Sequence, residues 1–79
     1  MKTIRIEYFA VLRERAGIAD EDLQTAAGTP AEIYSELQSR HDFPAKETLK
    51  VAVNDEFGSW DTPLQDGDRL VFIPPVAGG

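Results

Sequence analysis

The residues best suited to chemistry in this 79-residue sequence stand at its end, in the run Pro74-Pro75-Val76-Ala77-Gly78-Gly79. A strand-like segment stops at Ile73, two prolines stiffen the exit in an extended conformation, and the smallest side chains follow. Val76 to Gly79 would reach about 13–14 Å when extended, enough to pass down a narrow channel into another protein's active site. Glycines have no Cβ, fit such a channel and let backbone groups approach closely. The reactive group would then be the terminal carboxylate of Gly79. With no cysteine in the chain, disulfides, thiolate metal sites and a cysteine nucleophile are excluded.

Other candidates are weaker. His41 is the single histidine, at the predicted end of a helix and without a matching nucleophile motif. Asp66-Gly67-Asp68 pairs two carboxylates but lacks the further ligands of a calcium loop, and reads as a glycine turn between strands. Glu14, Asp20, Glu21 and Asp22 form an acidic group that reads as a solvated face. Trp60, among turn residues, reads as a cover over a small core. No metal site and no bound cofactor are expected.

Eight Lys and Arg against 14 Asp and Glu give a net charge of −6, and the basic residues are scattered. A phosphate backbone would be repelled, so nucleic acid is not an expected partner. No apolar run approaches the roughly 20 residues of a membrane span, and no secretory signal pattern opens the chain. A soluble cytoplasmic protein is expected. With 42% hydrophobic and 28% charged residues, the length suits one small domain.

The elements that must position the tail follow from local patterns. Thr3 to Phe9 alternates as a strand, with Ile4, Ile6 and Tyr8 on one face. Ala10 to Ala16 changes to helix formers and stops at Gly17, a glycine C-cap. A short strand is placed around Asp22 to Ala26. Thr29-Pro30-Ala31-Glu32 combines an N-cap, a first-turn proline and a capping box, so a helix starts there, with Ile33, Tyr34 and Leu37 on its apolar face. Lys50 to Asn54 and Arg69 to Ile73 read as strands, with turn chemistry at Asn54-Asp55 and Asp66-Gly67. The order predicts an α+β fold, a mixed sheet packed on one main helix. A four- or five-stranded β-grasp, the ubiquitin-like fold, fits it, with residues 1–75 as the domain and 76–79 as a flexible diglycine tail.

Tyr8-Phe9-Ala10, Leu12-Arg13-Glu14, Ala16-Gly17, Ala52-Val53-Asn54, Pro63-Leu64 with Asp66-Gly67-Asp68, and Phe72 through Gly79 together resemble the MoaD family, the small sulfur-carrier subunits of molybdopterin synthase. The resemblance implies a β-grasp whose first and last strands lie side by side in the centre. It also implies a cycle. An E1-like enzyme uses ATP to adenylate Gly79, and a sulfur donor enzyme converts it to a thiocarboxylate. The tail, with Gly78 beside the reactive residue, then enters the large synthase subunit in a heterotetramer and delivers sulfur to cyclic pyranopterin monophosphate. Phe9, Arg13, Phe57, Ile73, Pro74, Pro75 and Val76 would meet the large subunit.

Strand parity adds an expectation about that surface. If Ile4, Ile6 and Tyr8 face the core, Phe9 points away, and Leu70 and Phe72 inward send Val71 and Ile73 outward. Phe57, read as part of a turn beside Gly58, would complete an exposed patch with Phe9 and Ile73. The competing arrangement has the helix around Val11 to Ala16 covering that face. Rival readings of the function share the terminus: a thiamine-type sulfur carrier, typically shorter and lacking the double proline, or a ubiquitin-like modifier joined through Gly79 to lysines. A β-grasp interaction module with an idle tail is the third.

Overall fold

Tyr8 and Tyr34 mark the two ends of the packing problem that this chain solves, because each is buried yet carries a hydroxyl. The computed structural model describes residues 1–74. Seven main elements occur in chain order: β1 (Lys2–Glu7), α1 (Val11–Ala16), β2 (Asp20–Thr25), α2 (Pro30–Gln38), β3 (Lys50–Val53), β4 (Glu56–Gly58) and β5 (Arg69–Ile73). A 3-10 turn, Lys46–Thr48, leads into β3.

The strands form one mixed sheet in the order β2-β1-β5-β3-β4. β5 lies centrally, parallel to β1 through Ile6↔Leu70 and antiparallel to β3 through Val51↔Phe72. A parallel pair needs a long crossover, and the intervening chain supplies it together with α2. Consistent with a central strand, β5 buries Leu70, Val71 and Phe72 in succession. The arrangement is the β-grasp, with five strands.

α2 covers one face of the sheet. Its Ile33, Tyr34 and Leu37 lock against Ile4, Ile6, Leu70 and Phe72 in a single core. The helix begins where the capping pattern places it: Thr29 Oγ1 accepts from the Glu32 N–H at 3.3 Å. Such a cap contributes about 1 kcal/mol. The return bond is displaced by one residue, since Glu32 Oε1 accepts from the N–H of Gly28 at 2.8 Å rather than from the backbone N–H of Thr29. α1 ends at Gly17 in the left-handed conformation, φ 77°, and its Leu12 is fully buried.

Boundaries differ from the sequence reading for identifiable reasons. β1 spans Lys2–Glu7 and releases Phe9, because Ala10 takes a positive φ of 51° as the chain turns into α1. β2 is Asp20–Thr25, two residues ahead of its expected start, and pairs with β1 from Lys2↔Thr25 to Glu7↔Asp20. Asn54 and Asp55 both adopt positive φ, 51° and 71°. They form the tight reversal that matches strand twist, so Glu56–Gly58 folds straight back on β3 as a fifth strand. The Asp66-Gly67-Asp68 segment is the expected turn. Asp66 Oδ1 accepts from the Thr3 N–H at 2.7 Å, and Asp68 Oδ2 from the Gln65 N–H at 2.8 Å.

Both tyrosine hydroxyls find acceptors: Tyr8 donates to Glu21 Oε2 at 2.6 Å and Tyr34 to the Pro44 carbonyl at 2.7 Å. Burial pushes the Tyr34 phenol up to about 12. Burial, followed by the hydrogen bond to Glu21, raises Tyr8 further. These are the two tyrosines of the chain. Their folded pKa values lie above the unfolded ones, so their stabilisation is complete below about pH 10 and is lost as pH rises through the folded values. Absorbance titration at 295 nm should therefore show no tyrosinate in the folded chain below about pH 11, while the urea-unfolded chain titrates near pH 10. Ionisation of the folded chain at the ordinary value would show that these hydroxyls reach solvent.

Candidate functional site

The face of the sheet opposite α2 is built by strand parity. Residues in register across neighbouring strands share a face, so Glu7, Val71, Ala52 and Phe57 form one row across β1, β5, β3 and β4. Val71 is 9% exposed although α2 lies on the other side. Phe57 is 77% exposed; its cross-strand neighbour is Ala52, too small to cover a phenyl ring. Phe9, two residues beyond Glu7 on the same parity, is 46% exposed. Ile73 is opposite Lys50 at the end of the sheet from which the chain leaves β5.

The expected trio is thus largely brought to one face, with two corrections. Phe57 does not lie in a turn; it is the middle residue of β4, because the Asn54-Asp55 reversal ends one residue earlier. Ile73 is half-buried rather than exposed, as the last residue of a central strand flanked on both sides. The arrangement in which α1 covers this face does not occur: Val11 and Ala16 pack against the core and Phe9 stays accessible. Arg13 is exposed on α1, and Pro74 is half-buried at the exit. Pro75, Val76, Gly78 and Gly79 lie outside the described residues.

Beside the apolar row runs a lattice of ion pairs that the sequence did not announce. Arg5 meets Asp20 at 3.2 Å and Asp22 at 3.1 Å, and Arg69 meets Glu7 at 3.1 Å and also Asp55. The Arg69 Nε contact to Glu7 is close but poorly aligned for a hydrogen bond. Asp22, through its hydrogen bond and charge, together with the charge of Asp20, raises the Arg5 guanidinium above its ordinary value. The Arg5 pairs and the Arg69–Asp55 pair reach solvent and weigh in orientation more than in stability, whereas the Arg69–Glu7 pair is half-buried. The acidic group of the sequence reading is accordingly divided: Asp20 and Asp22 hold Arg5, and Glu21 holds Tyr8. Only the alternation of β1 and β2 could have signalled this, by putting Arg5 and the aspartates on one face.

Chemical groups within the body are otherwise sparse. His41 sits after α2, its N–H donating to the Leu37 carbonyl at 2.8 Å, and its ring lies 4.9 Å from that of Phe43. Trp60 stacks on Phe72 with centroids 5.7 Å apart, covering the core as expected. Among the described residues no group of three or more His, Cys, Asp or Glu is arranged to hold a metal ion. No helix among them is long and apolar enough to cross a membrane. What the described body offers is a surface: an apolar strip that reaches Ile73 at the exit of the last strand, and a charged lattice around Arg69 at that strand's opposite end.

The ThiS family profile matches residues 6–79. The molybdopterin synthase sulfur carrier subunit of Escherichia coli is 32% identical over 80 residues, covering 96% of this chain and 99% of that protein. Among solved structures, the putative molybdopterin converting factor subunit 1 of Pyrococcus furiosus superposes with a TM-score of 0.80 at 29% identity, over 96% of this chain and 100% of that one. A chain in the complex of subunits 1 and 2 of the molybdopterin-converting factor from Helicobacter pylori superposes with a TM-score of 0.67 at 25% identity, over 98% and 99% of the two chains. The chain is a ubiquitin-like β-grasp protein that belongs to the ThiS family, together with the molybdopterin synthase sulfur carrier subunits that it resembles along its length.

Proposed function

We propose that this chain is the sulfur carrier subunit of a molybdopterin synthase, working through the carboxylate of Gly79. The observation that carries this reading is its full-length likeness to such subunits, 32% identical to the Escherichia coli protein with 99% of that protein covered. A carboxylate is a poor electrophile because its charge is delocalised. An E1-like partner overcomes this with ATP: the carboxylate attacks the α-phosphorus, pyrophosphate leaves, and an acyl-adenylate forms. Sulfide-level sulfur delivered by a donor enzyme attacks the acyl carbon, AMP departs with the C–O bond electrons and the sulfur's proton passes to solvent, leaving a thiocarboxylate. In the synthase complex that sulfur passes to cyclic pyranopterin monophosphate, and water restores the carboxylate. The protein supplies no catalytic side chain for these steps; partner enzymes supply the pockets. The relatives at about 30% identity carry sulfur for molybdopterin, which favours this over the thiamine-type pathway.

The large subunit is the partner for the open face, as supported by the structural likeness to a chain of a subunit 1 and 2 complex. Phe9 and Phe57 provide exposed aromatic area, and aromatic anchors dominate binding energy at interfaces. Arg13, Pro74, Pro75 and Val76 extend the contact toward the channel, with Gly78 as the narrow approach to the reactive residue.

Deletion of Gly79 should reduce sulfur delivery in the reconstituted pathway to background while shifting unfolding free energy by no more than about 0.5 kcal/mol. Gly78→Val should impair delivery for steric reasons, a β-branched side chain obstructing a channel sized for glycine. Full transfer by the deletion would remove Gly79 from the chemistry.

Titration calorimetry against the large subunit tests the face. Phe9→Asp and Phe57→Asp should each weaken association by about tenfold or more, at least about 1.4 kcal/mol, with thermal melts little changed. Ile73→Asp should lower both affinity and stability, because Ile73 is half-buried in the central strand. Gln38→Asp, on the exposed side of α2, should leave affinity unchanged and lower stability only slightly, through loss of its 3.2 Å bond to the Pro44 carbonyl. Normal binding by both phenylalanine variants would take the patch out of the mechanism.

A further inference from the structure

β4 is an edge strand, and the hydrogen-bond parity of the sheet determines which of its backbone groups are unpaired. The N–H of Asn54 donates to the Arg69 carbonyl of β5 at 2.8 Å. Even-numbered residues of β3 therefore direct their backbone groups toward β5, and Val51 and Val53 direct theirs toward β4. Val53↔Glu56 and Val51↔Gly58 are then the hydrogen-bonded pairs, with Ala52↔Phe57 between them. The N–H and C=O of Phe57 consequently face outward, away from the sheet.

The surroundings of that edge are specific. Past Gly58 the chain folds over itself: the Ser59 N–H donates to Thr62 Oγ1 at 2.9 Å, and a Cβ on Gly58 would stand 2.8 Å from the same oxygen. This closes the edge beyond one residue, which limits indiscriminate strand pairing. Beneath the hairpin lies a cleft of about 380 Å³, whose lining includes Val53, Glu56, Pro63, Gln65 and Asp68 and no lysine or arginine. Glu56 makes no ion pair or side-chain hydrogen bond among the described residues, whereas Asp55 is held by Arg69.

We infer that the outer edge of β4 receives an extended, lysine- or arginine-bearing segment of a partner protein as a sixth strand. The residue level with Phe57 exchanges main-chain hydrogen bonds with it and lays an apolar side chain beside the Phe57 ring on the open face. Its neighbours alternate to the opposite side, where basic side chains meet Glu56 and Asp68 at the cleft. Charge complementarity selects the occupant: the cleft wall carries carboxylates without cations, on a chain of net charge −6. The site lies toward the Asn54 end of β3, opposite the end where β5 gives way to the tail, and it does not rest on the sulfur-carrier reading.

The test is a two-dimensional amide NMR titration of the full chain with the synthetic peptide Ac-Lys-Val-Lys-Val-Lys-NH2. Saturable shifts should be largest at Glu56, Phe57 and Gly58, with roughly millimolar or tighter affinity and slowed hydrogen exchange at the Phe57 amide. Phe57→Pro, which removes the outward N–H, and Glu56→Lys, which reverses the cleft charge, should each weaken binding by about tenfold or more. If the proline variant is unfolded, the Glu56→Lys result alone decides. Equal binding of Ac-Glu-Val-Glu-Val-Glu-NH2, shifts centred on β2, or no saturable shift up to about 10 mM peptide would overturn the assignment.

Discussion

The parallel pairing of β1 with β5 is the constraint on which the rest of this small protein depends. It joins residues more than sixty positions apart and sets the last strand in the middle of the sheet, with neighbours on both sides. A central strand is held by two ladders and by burial of Leu70, Val71 and Phe72, so its end is a fixed point. The chain leaves the sheet at Ile73 from a strand that is paired on both sides. Under the proposed sulfur-carrier role, a reactive terminus would gain from such a mounting, since the partner would dock on a rigid body.

The same pairing divides the sheet into two unlike faces. The inner one is sealed by α2 and by an aromatic group in which Tyr34 contacts Phe72 at 4.9 Å and Phe43 at 5.9 Å. Among the described residues the outer one has no helix over it, and it mixes apolar side chains with the Arg5 and Arg69 ion pairs. Exposed ion pairs add little to folding but fix the positions of their partners, which shapes the surroundings of the apolar strip. Surfaces of this kind discriminate between partners by charge and register while the aromatic groups supply the affinity.

Much of this was legible in the residues. The helix start at Thr29, the glycine stop at Gly17, the span of β5 and the inward set Ile4, Ile6 and Tyr8 all follow from local rules of capping and alternation, and each holds in the structure. β4 was not legible as a strand, because three residues with a glycine among them carry no alternation; its one signal is the reversal at Asn54-Asp55, which returns the chain against β3. The partial burial of Ile73 depends on having neighbours on both sides, a tertiary fact. The Arg5 and Arg69 lattice likewise required the register between strands. The central adjacency of first and last strands follows from analogy to the β-grasp fold, not from any pattern in the chain.

Intact and C-terminal peptide mass spectrometry of the protein, produced with its activating enzyme and sulfur donor, tests the carrier role most directly. The expected result is a species with one oxygen exchanged for sulfur, the exchange mapping to the carboxylate of Gly79 and disappearing when ATP is omitted. Sulfur found at any other position, or Gly79 found only in an isopeptide bond to a lysine of another protein, would contradict it.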